Sequence, residues 1–563
     1  MAQLEDALSM SNPAGSSRRS VARIGRVVVG TLVAVLAGPP LVGAAATAQP
    51  GWSSAVSLIR CASVAAPHVV FPAADPFHSS GQGAILWTGD PADCASSGGA
   101  GVGLAEFEPD HTLGAPEQLR VGGAPLASLT AVTSTGNGRI VTAGDIDSAG
   151  SAAGGLSQGP AGGTFTGADP LGGPSTPIAA TSSYRGDVGV ASVSAGGKVE
   201  LRVEQRDAPA ISPPVVLTPR GAKVTAIAVN LDFRGDAIVA WAERGSIFVR
   251  VRDSTGVLRP TRRVAASPPA PRLGVLISDD DRGILAWEAD ARPHGSATTT
   301  TSAYLDVSQV GVRFGPPHLL ERFADPRGLI PPATGLQLVR LAYEGVIVAW
   351  TGLAEGHFAI RTAPVSLSSF RPTTTISDPD ADAMLSDLAT GPADEVIALW
   401  TAAPRSGGRP EPDHERLVSA RGTSDPSGVT KFDSPQLVNG PGPVTTPRIA
   451  IDPVTDVAVA VWLNRSNNPG IDYAVRAPTP SGSALAGRPA TNAGRRGGSG
   501  APSVLTVVIT LVLAITAFLV GLRRRARSKE DRASSDARPR RTFDVRSLLR
   551  RLSRSLNLIR SDS

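Results

Sequence analysis

The chain has 563 residues, a formal net charge of +5 and 41% hydrophobic residues, which is enough apolar material for a substantial core. Residues 523–563 hold fourteen basic against five acidic residues, so the tail carries +9 and the remainder nets −4. A basic surface for nucleic acid is thereby excluded for everything upstream of that tail. With 61 Gly and 48 Pro the chain must also turn often.

The N-terminus reads as an export signal. A basic stretch, "RRSVARIGR" (18–26), precedes the apolar run "VVVGTLVAVLA" (27–37), then Gly38-Pro39-Pro40 and "AAATAQP". Ala46 and Ala48 supply the small residues of an A-x-A cleavage site, so residues 1–48 are predicted to be a signal peptide and Gln49 the mature start. Eleven apolar residues are too few to span a bilayer. The paired arginines leave Sec and twin-arginine export both open.

Next comes an unattached apolar stretch, "SAVSLIRCA" (54–62), and then a repeat. The segments "GQGAILW", "GNGRIVT", "RGDVGVAS", "RGDAIVAW", "DRGILAW", "YEGVIVAW", "ADEVIALW" and "TDVAVAVW" end at 87, 142, 192, 241, 287, 350, 400 and 462. Six of the seven tryptophans, Trp87, Trp241, Trp287, Trp350, Trp400 and Trp462, occupy this one position. A period of about fifty residues means a repeat architecture.

The fourth unit shows the plan. "VTAIAVNLD", "AIVAW", "SIFVRVRD" and "VLRPTRRVA" are four short strands separated by turn residues. "AIVAW" is apolar throughout and so buried on both faces, whereas "IFVRVR" alternates Ile247, Val249 and Val251 against Arg250 and Arg252. Four-stranded units at this spacing predict an all-β propeller over residues 49–477, of eight blades, or seven if the glycine-rich second unit is not one. The eighth unit lacks a fourth strand, and residues 54–62 are predicted to supply it and close the ring. Two Arg-Gly-Asp tripeptides, 185–187 and 234–236, fall in the strand-to-strand turns and are read as turns, not adhesion signals.

Residues 478–500 are a Gly/Pro/Ala/Ser-rich stalk. Residues 501–522 carry no charge, and as a helix they would extend about 33 Å, enough to cross a bilayer. Arg523, Arg524, Arg525 and Arg527 follow, which predicts a type I, single-pass topology with the N-terminal domain outside the cell and a cytoplasmic tail at 523–563. Within the tail, 543–561 sets Val545, Leu548, Leu549, Leu552, Leu556 and Ile559 on one helical face, suited to an anionic lipid surface or to a protein partner's groove, with a disordered tail equally open.

On the G-x-φ-φ-A-W strand, the ectodomain resembles bacterial cell-surface β-propeller repeat proteins. The resemblance implies the architecture and ligand binding at a propeller face, without a particular activity.

Signals for chemistry are sparse. Cys61 and Cys94, both outside the membrane in this topology, are expected to form a disulfide. "GLSQG" (155–159) matches a nucleophile-elbow pattern at Ser157 but lies among Gly and Pro, without the strand-then-helix setting. "DPDADA" (378–383) spaces Asp378, Asp380 and Asp382 like a calcium loop, but Ala383 and Ala389 stand where Gly and Glu are needed, so a solvated loop is expected. No two of the seven histidines lie within five residues, and no metal, cofactor or catalytic residue is predicted. Asp279, Asp280, Asp281 and Glu395 are the acids that could converge with histidines at the ring axis.

The reading favoured is a membrane-anchored, non-catalytic surface module that binds a ligand, either a cell-wall polymer or an extracellular protein. An extracellular glycan hydrolase or lyase is the alternative, followed by a receptor that signals through its tail.

Overall fold

The computed structural model describes residues 51–478, apart from internal segments of which 73–82, 90–100, 292–298, 325–334 and 366–372 are the longest. These residues belong to a first unit, Met1–Pro480; the second, Ser481–Ser563, lies wholly outside the described residues. The signal peptide, nearly all of the stalk, the 501–522 span and the basic tail therefore lie outside them too. No helix among the described residues is long and apolar enough to cross a membrane.

The chain forms eight antiparallel blades, at 65–118, 131–172, 178–216, 224–266, 272–323, 336–375, 381–439 and 444–476. Blade four follows the repeat plan: Val224–Leu231, Ala237–Glu243, Ser246–Arg252 and Arg262–Ala266 pair in sequence order. Its last strand is shorter than expected, because only a single bridge from Arg252 to Leu258 precedes it. The second, glycine-rich unit is a genuine blade, built on a ten-residue hairpin of Arg139–Ser148 with Ser151–Pro160. The first strands of successive blades touch all the way round, including blade eight against blade one.

Closure is by the N-terminal strand. Val56–Arg60 pairs antiparallel with Gly470–Arg476 and becomes the outermost strand of blade eight. The segment before it is held as well: Ser53 N donates to Val475 O at 2.8 Å, and Trp52 Nε1 donates to Ser419 Oγ of blade seven at 2.8 Å. Arg60 pairs with Asp472 at 2.8 Å. The ring thereby covers an edge that blade eight would otherwise expose. Cys61 follows this strand, buried, with Sγ 3.1 Å from Ser63 Oγ; Cys94 lies outside the described residues.

Core packing runs between blades. Eight apolar clusters are found among the described residues, one at each of the eight blade interfaces. The six repeat tryptophans lie within the second strand of their blades, at mid-strand in Gly283–Ala291, Val346–Ala354 and Glu395–Ser406, and all are at most 1% exposed. Each packs against the preceding blade: Trp87 on blade eight, Trp241 on blade three, Trp287 on blade four, and so on round to Trp462 on blade seven. An apolar second strand carrying one large ring fills the wedge that opens between radially arranged sheets. At blade one the ring is accommodated by Gly103 directly opposite, since any side chain there would collide with the indole.

The turn between first and second strands is a five-residue unit repeated around the ring. Its first residue donates N–H to the carbonyl of its fifth: Thr135 to Arg139, Ser183 to Asp187, Asp232 to Asp236, Ser278 to Arg282, Leu341 to Gly345 and Gly391 to Glu395, at 2.7–3.0 Å. In four of these the first side chain also accepts the fifth N–H, from Thr135, Ser183, Asp232 and Ser278. The fourth residue has φ near +55° to +86°, which selects Gly138, Gly186, Gly235, Asp281 and Asp394. Arg-Gly-Asp is positions three to five of this turn. Asp236 is 5% exposed, and its carboxylate accepts Ser254 N at 2.6 Å, so that carboxylate faces the protein.

Candidate functional site

The acids singled out from the sequence are held separately. Asp279 accepts Phe233 N at 3.2 Å and pairs with Arg340 at 3.0 Å; Asp281 pairs with Arg259 at 2.8 Å. Asp280 lies outside the described residues. Glu395, at the start of the second strand of blade seven, is enclosed by Arg421 at 2.7 Å and Arg476 at 2.8 Å. Ser157 sits inside Ser151–Pro160 and is buried, with no elbow around it. Asp378 and Asp380 form an exposed turn, as expected, but Asp382 departs from the loop reading: it lies in the first strand of blade seven, buried, and accepts Phe358 N at 2.8 Å. The first strand carries it inward because the turn ends at residue 380. No group of three potential metal ligands occurs among the described residues.

The axis does gather titratable side chains, though not the predicted ones. His68, Asp387 and Arg448 come from the first strands of blades one, seven and eight. Burial and then Arg448 push the His68 imidazole down to about 4. Burial raises the Asp387 carboxyl against the opposing pull of Arg448. Asp387 is already engaged by Ile449 N at 3.1 Å and Leu388 N at 3.0 Å. His111 bridges blade one to the blade-eight turn: its Nε2 lies 3.0 Å from Asp452 Oδ2 and 3.1 Å from Thr455 Oγ1. Because one ring nitrogen meets both partners, the three do not form a nucleophile–base–orienter relay.

An open groove of about 740 Å³ lies between the outer strand of blade four and blade five. Val264, Ala265 and Ala266 form one side; Trp287, Thr300, Ser302, Tyr304 and Arg322 are among the residues of the other. The repeat explains its floor. Trp287 pairs in register with Tyr304 on the next strand, and the two rings stack at 5.2 Å and 17°. At blade four the corresponding partner of Trp241 is Phe248, stacked at 5.9 Å but without a polar end. In the groove, Arg322 donates to Tyr304 Oη at 3.4 Å and to Ser302 Oγ at 3.3 Å. Small alanines on both sides leave the space open. The result is the partly exposed Tyr304 ring, backed by the buried Trp287 and edged by a guanidinium and hydroxyls, with no carboxylate, imidazole or thiol among the described lining residues.

The carboxylates of blade five lie elsewhere. Burial pushes Glu288 up to about 7, opposed by Arg272 at 2.7 Å, which also holds Asp290 at 3.2 Å. Glu321 accepts Trp350 Nε1 at 2.7 Å and Leu353 N at 2.9 Å, bracing blade six. The sequence reading missed this groove because residues 264–266 and 287–322 meet only across two blades. The one local signal is a Tyr seventeen residues after a repeat Trp.

No protein-family model matches the chain, and no curated protein matches it. Solved structures do. BP39L lectin from Burkholderia pseudomallei aligns at 13% identity and TM-score 0.41, over 68% of this chain and 100% of that one. An α-L-arabinofuranosidase from Fusarium graminearum aligns at 9% identity and TM-score 0.32, over 54% and 92%. Prolyl oligopeptidase B from Galerina marginata aligns at 11% identity and TM-score 0.34, over 61% and 47%. The likeness is one of fold. All three align below a TM-score of 0.5, and function is argued from the site.

Proposed function

We propose that this chain is an extracellular binding module, held at the membrane by a span at 501–522 and the 478–500 stalk, whose groove between blades four and five takes a saccharide unit of a cell-wall polymer. One observation carries the reading: the partly exposed Tyr304 ring, fixed by its stack on the buried Trp287 and edged by Arg322, Ser302 and Thr300. A sugar ring has an apolar face that packs on an aromatic side chain and hydroxyls that bond to a guanidinium and to alcohol groups. The described lining residues supply both and include no acid–base pair, which suits binding over turnover.

The test uses the full-length protein in detergent on an array of glycans that includes wall-polymer fragments. A saturable hit, recovered intact after incubation, is expected, and Tyr304→Ala or Arg322→Ala should weaken it with no change in melting temperature beyond a few degrees. Hits indifferent to both substitutions, or a cleaved ligand, would contradict the proposal. A catalytic reading would need a carboxylate opening into the groove; Glu288, pushed up to about 7, is enclosed with Arg272 instead.

A further inference from the structure

The two Arg-Gly-Asp turns belong to adjacent blades, three and four, and a second groove of about 540 Å³ runs between them. Arg185 and Arg234, at the third position of each turn, line it with Arg206 and Arg252 from the ends of the neighbouring strands. Asp187 is the one carboxylate among its described lining residues, so the described lining carries a formal charge of +3. Asp187 is itself occupied, accepting Arg206 N at 2.8 Å and Ser183 Oγ at 3.2 Å. Asp236, the other turn carboxylate, faces inward on Ser254 N.

Three of the four arginines are held apart from carboxylates. Arg185, Arg234 and Arg252 make no ion pair among the described residues. The Arg185 guanidinium lies over the Phe233 ring at 5.1 Å instead, a contact that orients it without neutralising it. Arg185, Arg234 and Arg252, three guanidinium side chains without an ion pair lining one groove, with a backbone turn carrying two of them, are an arrangement that binds oxyanions through paired N–H donors.

We propose that this groove binds the phosphate groups of a phosphodiester-linked polyol chain. A single carboxylate would leave most of the +3 uncompensated, whereas two or three consecutive phosphodiesters match it. Single-stranded nucleic acid, another phosphodiester polymer, is held by stacking its bases on aromatic platforms, and the described lining has none. The Arg-Gly-Asp motif then has a double use: Gly186 and Gly235 set the turn, the aspartates tie it to the sheet, and the arginines project as the ligand-binding groups. The site is separate from the blade four–five groove and stands or falls independently of it.

The experiment is calorimetric titration of soluble poly(glycerol phosphate) into the full-length protein and into an R185A/R234A double variant. Wild-type affinity is expected to fall steeply with added salt, and the double variant to lose about tenfold or more, with unchanged melting temperature because both side chains are exposed. R185K/R234K, which keeps the charge and loses the fork, should fall between the two. Equal affinity of wild type and double alanine variant would overturn the proposal and assign any binding to the basic tail. Tighter binding of single-stranded DNA or of polygalacturonate than of the polyol phosphate would overturn it too.

Discussion

Glu288 is a buried carboxyl whose proton the fold retains. Burial among Arg272, Asp290 and Glu321 lifts it to about 7, so between the ordinary glutamate range and pH 7 the folded state holds a proton that the unfolded chain has released. Its contribution to stability is complete below that ordinary range and is lost as pH rises through 7. Asp232, Asp306 and Asp456, each pushed to about 6, act in the same sense, and His68, pushed to about 4, acts in the opposite sense. Glu288→Gln isolates one of them: its melting temperature minus that of wild type should grow more positive between pH 5 and pH 8. A difference that is flat or declines with pH would show that Glu288 is ionised throughout. The tryptophans are the other residue-scale feature. Trp241→Ala removes a fully buried ring and should cost about 3–5 kcal/mol in chemical denaturation.

The repeated turn decides how the Arg-Gly-Asp tripeptides behave. Asp236→Ala leaves the Ser254 N–H without its acceptor and should cost about 1–3 kcal/mol, while Arg234→Ala, on an exposed side chain, should stay within about 0.5 kcal/mol. An equal cost for both would mean that the aspartate is not part of the turn. These elements were legible before the structure because they repeat. A Trp every fifty residues marked the second strands, and the missing fourth strand of the last unit marked the N-terminal stretch as its partner. Blade two was harder to read, since Thr142 stands where six blades carry Trp, and its interface with blade one is filled instead by residues such as Leu126, Ile140 and Phe165. Asp382 was misplaced for a related reason: three spaced aspartates look alike in sequence whether a turn ends after the second or after the third.

At the scale of the whole molecule, both grooves are products of the ring. Each is walled by two blades, so residues some twenty to sixty positions apart become neighbours, and no local motif announces them. The same holds at the axis, where Asp387 and Arg448 meet from different blades. Topology can be checked independently of either groove: protease added to intact spheroplasts should digest the ring and leave an epitope at residue 563 protected, and loss of that epitope would reverse the orientation. The central claim, that an interblade aromatic groove on a closed eight-bladed ring binds a polymer sugar, is tested most directly by titrating one array-selected oligosaccharide into wild type and Tyr304→Ala side by side. The account predicts saturable binding to wild type and a loss of about tenfold or more in the variant, in line with the removal of one aromatic contact and its hydrogen bond. Equal affinities would contradict it.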